Sequence, residues 1–160
     1  MAQPVFVVLR ASGETIEPEP SDHAFAPEDG IELVDYSQPA TRAFTSAGVA
    51  TGRRSYKPIS FRKRIDTASP LIAKAFAENQ IVEADFHFFR EDAGGVVSEY
   101  FRVEITQGRV VSFRQLLDDA LDPAHATRPP LEEVGLLFFR IAWTDLAGGR
   151  DFEDIWGESG

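Results

Sequence analysis

"SFRKRIDTASPLIAKAFAENQ" (residues 60–80) holds the switch from strand to helix on which the fold turns. Up to Ile65 the run alternates, with Ile59, Phe61 and Ile65 on one face and Arg62 and Arg64 on the other. Pro58 suits the edge or the beginning of that strand. At Asp66-Thr67 the alternation stops. Ser69 is placed to cap a helix, and Pro70 fits its first position, where a missing N–H is no loss. Leu71, Ile72, Ala75 and Phe76 form one apolar stripe, and Asn79 is a left-handed terminator. A helix this short is unstable alone in water, so it must rest on something larger.

The larger body reads as β structure. "VFVVLRA" (5–11) is a β-branched first strand, and residues 12–30, rich in proline and acid, read as a surface loop. "IELVDYS" (31–37) alternates without a purely apolar face, which suggests partial cover or contact with another protein. "IVEADFHFFRE" puts Val82, Ala84, Phe86 and Phe88 on one face, with Glu83, Asp85 and His87 opposite. "SEYFRVEITQ" turns Phe101, Val103 and Ile105 inward, and "DAGG" (92–95) makes a hairpin between these two strands. A further turn at Gln107-Gly108 predicts "GRVVSFRQLLDD" as the third strand of a meander. "LEEVGLLFFRIAWTDL" is long enough for one final strand, and a turn with a short Trp-bearing piece ends the chain. The sum is a single domain over residues 1–160, mainly β: a small two-sheet barrel with one short flanking α-helix and a long extended loop.

That loop, residues 38–55, is rich in Ala, Thr, Ser and Gly and has no acid. It offers Phe44 and Val49 for contact and ends with Arg53 and Arg54. Loops of this length inside a domain tend to be functional or disordered. Its charge opposes the rest of the chain, where 16 Lys and Arg face 26 Asp and Glu for a net −10. Such a surface repels phosphate backbones and anionic bilayers, so neither nucleic acid nor membrane insertion is expected. With no cysteine, disulfides and thiolate metal sites are excluded. "MAQPVFVVLRASGE" lacks a basic leader and a cleavage pattern, so we expect a cytoplasmic protein that, if exported, leaves without a signal peptide.

A search for chemistry comes back empty. His23, His87 and His125 share no ligand spacing, and His87 reads as a solvated or interface side chain. The pairs Asp118-Asp119, Glu132-Glu133 and Glu153-Asp154 read as solvated surface charge. There is no G-x-S-x-G nucleophile elbow and no phosphate-cradling loop. Arg53, Arg54, Arg62, Lys63 and Arg64 form a basic cluster that suits an acidic neighbour, such as a second copy, better than nucleic acid. Trp143 and Trp156 read as core or interface anchors. No cofactor, metal or catalytic residue is assigned.

The order of elements resembles the haemolysin-coregulated (Hcp) proteins, the tube subunits of type VI secretion systems. Their F-x-K-x-x-D-x-x-[ST]-P segment, followed by a short helix and a strand, is matched by Phe61, Lys63, Asp66, Ser69 and Pro70. Upstream, Ser21, Asp22, His23, Ile31, Leu33, Tyr36 and Ser37 fit a second family pattern, and the terminal Trp156 is also similar. Four stretches depart from the family: Tyr56-Lys57-Pro58, the Ala/Thr/Ser loop in place of Gly-rich tracts, and the extra residues 17–29 and "LDPAHATRPP". The resemblance implies a non-enzymatic homohexameric ring that stacks into a hollow tube, partnered by a contractile sheath, a spike and effector cargo. It implies that the loop bearing Phe44, Val49, Arg53 and Arg54 reaches the adjacent ring. It also implies that the Phe61-to-Pro70 segment is a subunit contact. Three other readings are a phage-type tail tube, a monomeric barrel with an apolar pocket, and a hydrolase using Asp85 and Glu104 in one cleft.

Overall fold

The computed structural model describes residues 3–156, and these form eleven strands and one helix. β1 (Val5–Ala11) forms where expected, with Val7 and Leu9 in the core. Phe6 is on the opposite face and is equally buried, beneath Phe25, Phe89 and His23 at ring separations of 5.7–6.1 Å. The stretch between β1 and the next long strand is therefore more than a surface loop. It adds β2 (Glu14–Thr15), buries Ile16, and packs an aromatic cluster on the outside of the sheet.

β3 (Ile31–Ser37) and β6 (Ile59–Arg64) pair antiparallel with a bulge at Val34. The bulge inserts one residue into the alternation, so Ile31, Leu33 and then Tyr36 meet the core. This is why neither face of "IELVDYS" reads as apolar. The connection between β3 and β6 is no irregular loop. β4 (Ala40–Thr41) pairs with β5 (Ser55–Tyr56), and a bridge joins Phe44 to Ala50. Gly48 supplies the positive φ (82°) of the tip, and Val49 donates back to the Thr45 hydroxyl at 3.1 Å. The result is a β-hairpin arm.

β7 (Val82–Glu91) has the expected faces up to a bulge at Phe88-Phe89. Beyond the turn, the meander expectation is corrected. β8 (Val97–Leu116) is one strand of 20 residues, and Gln107, with φ of 55°, bends it instead of reversing it. The "final strand" is likewise two: β9 (Leu131–Leu137) and β10 (Arg140–Asp145) run along the same side of β8 in continuous register. Their break at Phe138-Phe139 falls opposite the Gln107-Gly108 bend. The two ribbons therefore turn the same corner together, and Phe138 drops into the core there. β11 (Arg150–Ile155) pairs with β10 and carries the sheet outward.

Neighbours run β8-β7-β1-β3-β6-β9 and back to β8, so six strands close a barrel and β10-β11 extend from it. Its interior is filled by side chains such as Phe61, Phe86, Ile105, Val134 and Leu136. α1 (Ser69–Ala77) has the expected nine residues and proline start. It ends as expected at Asn79 (φ 51°), where Gln80 N–H bonds Ala75 O at 3.0 Å in a Schellman closure. Two details are corrected. Ala68 is the N-cap, with no capping side chain, because Ser69 faces inward. The apolar stripe is split: Ile72 and Ala75 are buried, whereas Leu71 (43% exposed) and Phe76 (46%) face out.

The corner in β8 demands close backbone approach. A Cβ on Gly108 would lie 2.7 Å from Val82 O and 3.0 Å from Leu137 O. Gly108→Ala is therefore expected to cost about 1–3 kcal/mol, read as a lower urea midpoint at unchanged slope.

Candidate functional site

Alternation along β6 puts Ile59, Phe61 and Lys63 on the inward face, so Lys63 (1% exposed) enters the protein instead of joining a basic surface. Directly across the β6–β9 ladder lies Glu132, fully buried. Lys63 Nζ donates to Glu132 Oε1 at 2.6 Å, Arg64 O at 2.7 Å, Asp66 Oδ1 at 2.8 Å and Ser69 Oγ at 3.3 Å. The Ser69 hydroxyl donates to Glu132 at 2.7 Å and accepts from the Asp66 backbone N–H, while Asp66 Oδ1 accepts from Ala68 N–H. Gln115 reaches the second Glu132 oxygen at 3.3 Å. A buried charge pair is tolerable only when satisfied this fully.

The signature segment is thus a knot that ties β6, β9 and the start of α1 together. The expectation that Phe61, Lys63 and Ser69 make a subunit contact is corrected, because all three are buried within the chain. Asp66 is partly exposed and Pro70 is exposed. Ile65, placed inward with Phe61 by the sequence reading, lies beyond the end of β6 and is 42% exposed. Glu132 had been read as surface charge. Its signal was present, since it shares a face with Val134 and Leu136 in "LEEVGLL", an acid on an apolar stripe.

The arm over residues 38–55 is the second feature. Its tip exposes Phe44 (59%) and Val49 (62%). Its base is clasped to β11. Arg54 donates to both oxygens of Asp154 at 2.6 and 2.7 Å, and the Tyr56 hydroxyl donates to the same carboxylate at 2.6 Å. The Arg54 hydrogen bonds hold the Asp154 carboxyl below its usual range. Burial, reinforced by that carboxylate, pushes the Tyr56 phenol up to about 12. Around the Tyr56 ring stand Phe138, Trp143 and Trp156, at centroid separations of 5.5–6.1 Å. Arg54 is therefore an internal anchor, and Asp154 is its partner and no bystander on the surface.

A third cluster covers the outward face of β7 and β8. His87 Nδ1 lies 2.7 Å from Glu99, which accepts two hydrogen bonds from Arg102 at 2.8 Å. Burial works to raise the Glu99 carboxyl, but Arg102 and His87 outweigh it and hold it low. Asp85 and Glu104 are ladder neighbours on the same face, with Arg10 3.3 Å from the first and Arg102 3.9 Å from the second. They belong to an ion-pair ladder on a sheet face, which does not favour the hydrolase reading. Among the described residues no group of three or more acids and histidines could hold a metal. Nor is any helix there long and apolar enough to cross a membrane.

The sequence pattern of the family described as "Type VI secretion system effector, Hcp" matches residues 13–144. The chain belongs to the Hcp family. A "Major exported protein" of Pseudomonas aeruginosa is 27% identical over 111 residues, 69% of this chain and 64% of that protein. Hcp1 from Escherichia coli EAEC 042 superposes with a TM-score of 0.83 at 27% identity, covering 97% of this chain and 99% of the other. A second Hcp crystal structure reaches 0.88 at 20% identity over 99% and 100%, a likeness of fold.

Lys63→Met is expected to cost about 3–5 kcal/mol, because Glu132 is left buried and unpaired. Adding Glu132→Leu to that variant should restore part of the loss in chemical denaturation. A double variant no more stable than Lys63→Met would show that the stranded charge is not the cause. For the arm, Asp154→Asn should speed hydrogen exchange over residues 38–55 while leaving the barrel midpoint nearly unchanged. The same loosening should appear in the unmodified chain as pH falls. A depressed carboxyl stabilises above its unfolded value of about 3.9 and loses that effect as pH drops through its lowered folded value.

Proposed function

We propose that the chain is a tube subunit of a type VI secretion apparatus, with residues 1–160 acting as one tube unit. Six copies close into a ring, and rings stack into a hollow tube. A contractile sheath drives this tube behind a spike, and the lumen carries effectors. The protein is exported from the cell, and its role is structural. The observation that carries this reading is the arm: a braced hairpin without acids, projecting from a closed barrel, with two large apolar side chains at its tip. That combination suits a protein surface better than water.

Two further observations support it. α1 turns Leu71 and Phe76 outward, giving exposed apolar groups apart from those of the arm. A ring needs two such unlike surfaces, since each subunit meets its neighbours through different faces. The barrel interior is packed with side chains, which leaves a monomeric ligand-binding barrel without its cavity. Family membership favours type VI secretion over a phage tail.

Negative-stain microscopy and light scattering test the proposal. Annular hexamers with an open centre are expected, and stacks of them at high concentration. Phe44→Asp with Val49→Asp should leave single rings intact and abolish stacking. A lone 17.7 kDa species at every workable concentration would defeat the reading.

A further inference from the structure

β3 and β6 are antiparallel partners, and everything that connects them lies at one end of the pair. The arm leaves from Ser37 and returns at Ile59. At the other end, the start of β3 and the finish of β6 form one side of an open groove, and residues 18–22 form the other. Arm and groove are thus separated by the length of a six-residue strand, about 20 Å.

The two ends carry opposite charge. Residues 17–29 contain Glu17, Glu19, Asp22, Glu28 and Asp29 with no Lys or Arg, whereas the arm contains Arg42, Arg53 and Arg54 with no acid. In the groove itself, Glu19, Asp22, Glu32 and Asp66 outnumber Lys63 and Arg64, and Lys63 is already held by Glu132 and Asp66. Glu32 also lies 3.3 Å from His23. Half-exposed Val34 and Ile65 give the groove apolar ground as well. The acidic wall is not a loose loop. Phe25 and His23 pin it on Phe6 and Phe89, so it is preformed for a partner.

We propose that this groove receives the arm of a second copy, with Phe44 and Val49 laid against Val34 and Ile65 and Arg42 facing the carboxylates. The inference rests on the reading that copies stack end to end, and it names the receiving surface for that contact. Complementary surfaces at opposite ends of one strand pair make a heterologous contact. Such a contact can repeat along an axis without closing, as a tube requires. Charge also sets the polarity. Two acidic ends repel one another, as do two basic ends, so head-to-tail stacking is the favoured arrangement.

The test is a charge exchange, read by light scattering and microscopy of full-length protein. Glu19→Arg with Asp22→Arg is expected to lower the stacking constant about tenfold or more, with ring diameter and melting temperature unchanged. Adding Arg42→Glu should recover stacking, and raising salt should weaken stacking of the unmodified chain. Stacking by the groove variant equal to that of the unmodified chain, or no recovery with Arg42→Glu, overturns the inference while leaving the tube reading in place. Unchanged stacking with loss of a bound basic protein also overturns it, and assigns the groove to cargo. If the unmodified chain forms neither rings nor stacks, the tube reading itself fails.

Discussion

Lys63 and Glu132 face each other across a ladder inside the protein, and much of the architecture is set by the need to satisfy them. Removing two charges from water is costly, and the cost is offset only when each polar atom finds a partner. Here the partners come from four elements: the β6 backbone, the Asp66 turn, Ser69 at the first residue of α1, and Gln115 on β8. A one-residue slip of β6 on β9 would turn Lys63 out to solvent and strand Glu132 in the core. The network therefore specifies register, and it fixes where the helix begins. A helix of nine residues that cannot persist alone is held by this knot at its start and by Ile72 and Ala75 along its buried face.

The second constraint is the corner at Gln107-Gly108. A barrel closes only if its sheet bends, and this chain bends two ribbons at the same level, one by a left-handed residue and one by a break. The absence of a side chain at Gly108 lets β8 press against the carbonyls of Val82 and Leu137. Beyond the corner the sheet is free to continue as β10 and β11. That extension matters to the arm because Asp154 on β11 is what clasps its base. The arm's direction is thus set by a strand about a hundred residues away in sequence.

Charge is distributed with the same polarity as the strands. The chain is acidic overall, yet the arm is wholly free of carboxylates, and the most acidic loop sits at the opposite end of β3. For a solitary protein this segregation has no evident physical benefit. For a repeating assembly it supplies both attraction between unlike ends and repulsion between like ends. The exposed apolar groups of the arm tip and of α1 add contact area at places the internal core does not use.

Much of this was legible in the residues themselves. β-branched composition identified β1, alternation identified the faces of β7 and the inward side of the first half of β8, and Pro70 and Asn79 marked the helix ends, because these signals are local. The order of short motifs was enough to recognise the family, since Phe61, Lys63, Asp66, Ser69 and Pro70 keep their spacing. Three matters were decided only in three dimensions. Gln107-Gly108 carries the composition of a turn, and whether it reverses or bends the chain depends on β9 and β10 waiting alongside. Lys63 and Glu132 look like surface charges one at a time and become a buried pair only when 69 positions of chain fold back to join them. Arg54 looks free for a neighbour until β11 brings Asp154 beneath it. In each case the sequence wrote the residue's chemistry, but its partner lay far along the chain, and propensity and periodicity report only on near neighbours.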